Sequence, residues 1–141
     1  MTKRFAALAV ITGLLFLTTI TAAVGAEREA VAQGEALLWL SLVDSNKYDE
    51  SWQEMSPAFK KLVNKRKWKS TVTDIRKPLG KVASRKPKSA EYTKELPGAP
   101  EGEYVVVQFD TEFANNKAAV ETVTPMKDKG GQWRVSGYFI K

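Results

Sequence analysis

The chain has 141 residues, 43% hydrophobic and 27% charged, with a formal net charge of +6. That composition suits one globular domain and excludes a disordered tail, a collagen-like fibre and a multi-pass membrane protein. It contains no histidine and no cysteine, which excludes a Ser-His-Asp triad, a Cys-His pair, the usual zinc ligands, a disulfide and a Cys-linked lipid.

Met1 to Arg4 ends in the basic pair Lys3-Arg4, and an uncharged apolar run follows from Phe5 to Ala26. Val24 and Ala26 stand where a signal peptidase reads small residues, just before Glu27. A basic start, an apolar middle and a small-residue exit read as a secretory signal over residues 1–26. Residues 27–141 are then one exported domain, expected in the periplasm, with a charge of +4 once Lys3 and Arg4 are gone. A retained anchor is the competing reading, because about 20 apolar residues span a bilayer. The threonines within the run and its Val-Gly-Ala exit favour cleavage.

The first half of the domain has helical spacing. A helix is predicted from Glu27 to Asp44, with Val31, Gly34, Leu38 and Leu42 on one stripe and Ala32, Ala36, Trp39 and Val43 beside it. Glu27 and Glu29 fall in its first turn, and Asn46 can end it in a left-handed conformation. A short helix enters at Asp49 and carries Trp52 and Met55. Ser56-Pro57 supplies an N-cap and a first-turn proline for Ala58 to Val63. Asn64 opens another helix, with Trp68, Val72 and Ile75 on one side, which Pro78 and Gly80 stop.

After Gly80 the spacing alternates. A weak strand within Lys81 to Leu96 is broken by Pro87, and Leu96 to Pro100 is a turn. Glu103 to Phe113 places Val105, Val107, Phe109 and Phe113 on one face and Tyr104, Gln108, Asp110 and Glu112 on the other. Ala118 to Met126 is the next strand, and Gly130-Gly131 turns the chain into the last, Gln132 to Ile140. There Trp133, Val135, Gly137 and Phe139 oppose Gln132, Arg134, Ser136 and Tyr138. The expected class is α+β, with N-terminal helices packed on one face of a curved four-stranded antiparallel meander.

Several blocks stand in a characteristic order: Trp39-Leu40, Val43-Asp44, Tyr48, Ser51-Trp52, Arg76, and Pro78 to Gly80. Ser84-Arg85, Leu96 to Gly98, Gly102 to Phe109, Ala119 to Val123 and Trp133 to Ile140 complete them. In these the chain resembles the bacterial "domain of unknown function" family numbered 4019, a set of small exported proteins. The resemblance implies no activity or catalytic residue. The order of elements is also similar to the nuclear-transport-factor-2-like or cystatin-like roll, whose fold hosts enzymes, binding modules and inert scaffolds alike.

Charge is strongly segregated. Between Lys60 and Lys88 stand twelve Lys or Arg and one acid, Asp74. Lys60, Lys61, Lys65, Arg66, Lys67 and Lys69 head that run as candidate contacts for an anionic lipid or polysaccharide. Nucleic acid would use the same patch but is not expected of an exported protein. The plainer reading is a solvated helix face and an edge strand guarded by lysines.

A second constellation joins Arg76, Arg85 and Glu121, with Asp74 at its edge. Glu121 lies amid Ala119, Val120, Thr122 and Val123, so its carboxylate wants a bidentate arginine. The group either lines a ligand pocket, with Tyr138 as a further contact, or is a structural ion pair. The four tryptophans either line a cavity for a flat or sugar-like ligand or simply fill the core. No cofactor or metal is expected: Asp110 and Glu112 share one strand face, and no calcium-loop spacing occurs. The expectation is a small non-enzymatic binding module of the cell envelope. One alternative is a cofactor-free enzyme with Asp74 or Glu121 as base beside Arg76 or Arg85. Another is a structural homodimer built through the outer sheet face.

Overall fold

The computed structural model describes residues 16–141, with side chains from residue 21 onward. Four helices precede four strands: α1 (Phe16–Asp44), α2 (Tyr48–Glu54), α3 (Pro57–Leu62), α4 (Lys65–Arg76), β1 (Val82–Thr93), β2 (Tyr104–Phe113), β3 (Asn116–Lys127) and β4 (Trp133–Ile140). The sheet is an open antiparallel meander in the order β1-β2-β3-β4. The helices cover one face, and α1 touches all four strands. This is the expected α+β arrangement.

Helix α1 begins at Phe16, before the expected start at Glu27. Residues 16–26 of the expected signal therefore continue the helix, and residues 1–15 lie outside the described part. Glu27 and Glu29 are thus mid-helix, and Glu29 accepts a hydrogen bond from the Tyr92 amide at 3.2 Å instead of serving the first turn. Among the described residues no helix is long and apolar enough to cross a membrane. The buried stripe is Ala32, Ala36, Trp39, Leu40 and Val43, whereas Val31 and Leu38 stay exposed, Leu38 by 65%. Both stripes are apolar, so periodicity alone does not choose between them; packing does, because Trp39 and Leu40 fill the space over the sheet. Every buried residue lies at or after Ala32, so residues 27–141 contain the whole described core.

The short helices follow their caps. Asn46 takes φ +58° at the end of α1. Ser56 Oγ accepts from the Phe59 amide at 3.1 Å, and Asn64 Oδ1 accepts from the Lys67 amide at 2.9 Å. Helix α2 starts at Tyr48, one residue before the expected entry. Buried Ser51 joins the helices: its carbonyl accepts from Trp39 Nε1 and its hydroxyl from Trp68 Nε1, each at 2.9 Å. Trp39 and Trp68 are core, their indole N–H groups satisfied inside the protein.

Two strand expectations are corrected. Pro87 does not break β1, because β1 is an edge strand where a missing N–H costs no ladder bond; extra residues at Ala83 and Lys88 bulge it instead. Tyr104 keeps the expected face, opposite Val105 and Val107, but is buried there: its hydroxyl donates to the Pro100 carbonyl at 2.5 Å, under the loop before β2. In β4 the pairing passes from Pro125↔Val135 to Val123↔Tyr138, so β4 carries one extra residue at Ser136-Gly137. That bulge reverses the alternation. Tyr138 turns toward the core with Trp133 and Val135, and Phe139 turns out to solvent.

Candidate functional site

The inward face of the sheet carries charge at one end. On β2 the buried series Val105, Val107, Phe109 and Phe113 includes Thr111. Arg85 pairs with Thr111 across β1 and β2, and Glu121 lies two residues beyond the partner of Thr111 on β3. The β4 bulge brings Tyr138 to the same place. From the helix side come Arg76, on the buried stripe Trp68-Val72-Arg76 of α4, and Asp44, the last residue of α1. Ile75 is only half-buried, so the arginine takes the position expected of the isoleucine.

These six side chains form one closed network. Glu121 is fully buried. Its Oε1 accepts from Arg85 Nε and from Thr111 Oγ1, both at 2.7 Å, and its Oε2 accepts from the Tyr138 hydroxyl at 2.5 Å. Arg85 then reaches Asp44 with Nη1 at 2.7 Å and Nη2 at 3.1 Å, a forked contact. Arg76 Nη2 donates to Asp44 Oδ1 at 2.8 Å, and its Nη1 reaches the Tyr138 oxygen at 3.4 Å. Two carboxylates face two guanidinium groups, so the group is neutral as a whole. Its hydrocarbon frame is Phe113, 5.1 Å from the Arg76 guanidinium, and Trp39, edge-on to Tyr138 at 5.2 Å.

The titration behaviour follows from that geometry. Burial would raise the Asp44 carboxyl, but hydrogen bonds from Arg85 and Arg76 outweigh it and hold the group below its ordinary value. Burial opposes charge on Arg76 and Arg85 as well; Tyr138, Asp44 and Glu121 outweigh it at Arg76, and Asp44 and Glu121 at Arg85, so both cations are held more firmly protonated. The Tyr138 hydroxyl is pushed well up, first by burial and then by the neighbouring Glu121 charge.

The sequence brings together three of its four ligand candidates as expected, Arg76, Arg85 and Glu121, and places Tyr138 with them on the inner rather than the polar face. Asp74 is exposed on α4 and is not a member. Asp44 and Thr111 are the members sequence reasoning missed. The group does not line one pocket. A cleft of about 680 Å³ opens on its Asp44 and Arg76 side, walled by Tyr48, Thr73, Lys77 and Lys81, while Arg85, Glu121 and Tyr138 stay behind it. A separate groove of about 790 Å³ runs between α1, α2 and the start of β4, over Leu38, Trp39 and Trp133. Among the described residues no cluster of three acidic side chains could hold a metal ion.

The basic segment divides in two. Arg76 and Arg85 are spent inside the network. Lys60 Nζ donates to the Gln53 carbonyl at 2.8 Å, and Lys60 and Lys65 stand 5.7 and 5.6 Å from the Trp52 ring. Lys69 meets Asp49 at 3.6 Å and Lys88 meets Asp110 at 3.0 Å, both in the open. Lys61, Arg66, Lys67 and Lys77 are exposed and reach no carboxylate among the described residues.

Residues 35–138 match the family model described as "Protein of unknown function (DUF4019)". The chain belongs to this family. The matched span runs from within α1 through Tyr138, so it takes in every member of the network, β1 to β3 in full and most of β4. No curated protein and no solved structure matches the chain.

Proposed function

We propose that this DUF4019 protein is exported and acts as a small non-enzymatic binding module of the cell envelope. Its working surface is the exposed side of α3 and α4, where it meets clustered phosphate or carboxylate groups. One observation carries the reading: Lys61, Arg66, Lys67 and Lys77 lie unpaired among the described residues on one pair of adjoining helices, while the interior charges neutralise one another. Unpaired surface cations focus a positive potential that neutral pairs do not. The paired state of Glu121 weighs against its use as a base, since both its oxygens already accept hydrogen bonds.

The test uses residues 27–141, which hold the whole described core. The protein is offered phosphatidylglycerol vesicles and, separately, dextran sulfate, at low and then physiological salt. Binding to either should weaken as salt rises, because screening shortens the reach of surface charge. The Lys61→Gln, Arg66→Gln, Lys67→Gln, Lys77→Gln combination should lose it. Absence of binding to both at low salt overturns the proposal.

A further inference from the structure

Leu62 is the most exposed large hydrophobic side chain among the described residues, at 82%. A lone exposed leucine is ordinary; the setting of this one is not. Helix α3 is otherwise patterned for its place. Phe59 packs edge-on against Trp68 at 5.7 Å, and Val63, one turn on, packs against the core. The outward side should then be polar, as Lys61 is, and Leu62 breaks that rule. Departures from an otherwise consistent local pattern tend to mark working positions.

The corner that presents Leu62 is built firmly. The chain leaves α3 through two extended residues, Val63 and Asn64, before α4 begins. Trp52 Nε1 donates to the Val63 carbonyl at 2.8 Å, and the caps at Ser56 and Asn64 fix the helix starts on either side. Around the apex stand Lys60 and Lys65 against Trp52, with Lys61 and Arg66 exposed beyond them. An exposed aliphatic side chain with Lys60, Lys61, Lys65 and Arg66 within four residues of it suits a bilayer surface: the apolar group enters the acyl boundary and the cations stay with the phosphates. A soluble polyanion satisfies the cations equally well but offers the leucine nothing.

Resting on the reading of this face as an anion-binding surface, we propose that its partner is an anionic lipid bilayer and that Leu62 inserts into it. Lys61, Arg66 and Lys67, the unpaired cations nearest to Leu62 in the chain among the described residues, then contact the lipid phosphates.

The experiment compares residues 27–141 with Leu62→Ala on phosphatidylcholine vesicles with and without phosphatidylglycerol, and on dextran sulfate. Circular dichroism confirms that both are folded. Leu62→Ala removes three carbons and should lower partitioning onto the anionic vesicles about fiftyfold if they are fully inserted, and leave dextran sulfate binding unchanged. Because the chain has no cysteine, Leu62→Cys carries a single environment-sensitive dye. Its emission should shift to the blue on anionic vesicles and stay put on dextran sulfate. Equal vesicle binding by Leu62→Ala, or a dye that remains in water, overturns the insertion. Binding to dextran sulfate alone overturns the bilayer and leaves the anion-binding surface standing. Binding to neither overturns that surface itself.

Discussion

Glu121 is fully buried and its two oxygens accept three hydrogen bonds, so its value to the fold depends on every partner staying in place. Glu121→Gln puts a donor where Arg85, Thr111 or Tyr138 also donates, and it leaves Arg85 short of a counter-charge. Removing one member of a buried pair costs about 3–5 kcal/mol, which for a domain of this size lowers the melting temperature by about 10 °C or more. Calorimetry of the variant checks this; a change of a degree or two would show that the network is ornamental. The two limbs of the pH–stability curve belong to different residues. Asp44 titrates near 3.8 when unfolded and lower when folded. Its stabilisation is therefore complete above that pH and lost as the pH falls through the depressed folded value. Asp44→Asn should flatten the acid limb. Tyr138 titrates near 10.0 when unfolded and higher when folded, so its contribution is intact below that pH and lost as pH rises above it. Tyr138→Phe should soften the alkaline limb. In the sequence, Glu121 was legible because an acid in a run of Ala, Val and Thr has to find a cation. Asp44 and Arg76 carried a subtler sign, since each stands one turn past an apolar residue on a buried stripe, Leu40 and Val72. An ionisable residue that continues such a stripe is drawn toward the core, Arg76 fully and Asp44 as far as the cleft wall, and it needs a partner from another element. Nothing local says which one.

At the level of the helix and the strand, α1 shows how two apolar stripes compete. The stripe with Val31 and Leu38 has the cleaner spacing, but the one with Trp39 and Leu40 has the volume to fill the space above the sheet. Leu40→Ala should cost about 2–5 kcal/mol, as large-to-small changes in cores do. Leu38→Ser should stay within about 0.5 kcal/mol, as exposed substitutions do. Urea denaturation of the two variants decides the assignment, and a reversal would mean that the helix is rotated about its axis. The strands were readable from their period up to the point where a bulge intervened. In β4 the extra residue at Ser136-Gly137 changes which side chains face the core, and no alternation rule anticipates where a ladder will take up slack. Capping chemistry was the most transparent signal: Ser56, Asn64 and Asn46 all act as their side chains suggest. Ser56→Ala should cost about 1 kcal/mol, measured against Ser70→Ala on the exposed side of α4 as a control.

For the molecule as a whole, charge is sorted by depth. Two acids and two bases neutralise one another between the sheet and the helices, Glu121 at the deep end and Asp44 at the cleft, and surplus positive charge is left outside on α3 and α4. Composition and charge order along the chain already announced the surplus. They did not reveal that two of the twelve cations between Lys60 and Lys88 are internal, because burial of an arginine is a tertiary fact. The class of fold was legible for a simple reason: helical periods end and strand periods begin at one glycine, Gly80, and successive strands are joined without a crossover. Residues 27–141 should accordingly unfold in a single cooperative transition, by calorimetric and spectroscopic probes alike.

The contact of α1 with every strand has a consequence for how the molecule comes into being. The helix is made first, yet its buried stripe has no complete partner until β4 has followed. Hairpins β1–β2 and β2–β3 can form early, being neighbours in the chain, while Asp44 waits for Arg85 and Glu121 waits for Tyr138. A nascent chain halted before Trp133 would leave Trp39 and Leu40 facing an unfinished sheet, with Glu121 Oε2 lacking its Tyr138 donor. The final strand thus works as a latch, and a short deletion at the C-terminus should undo the N-terminal helix as thoroughly as it undoes the sheet.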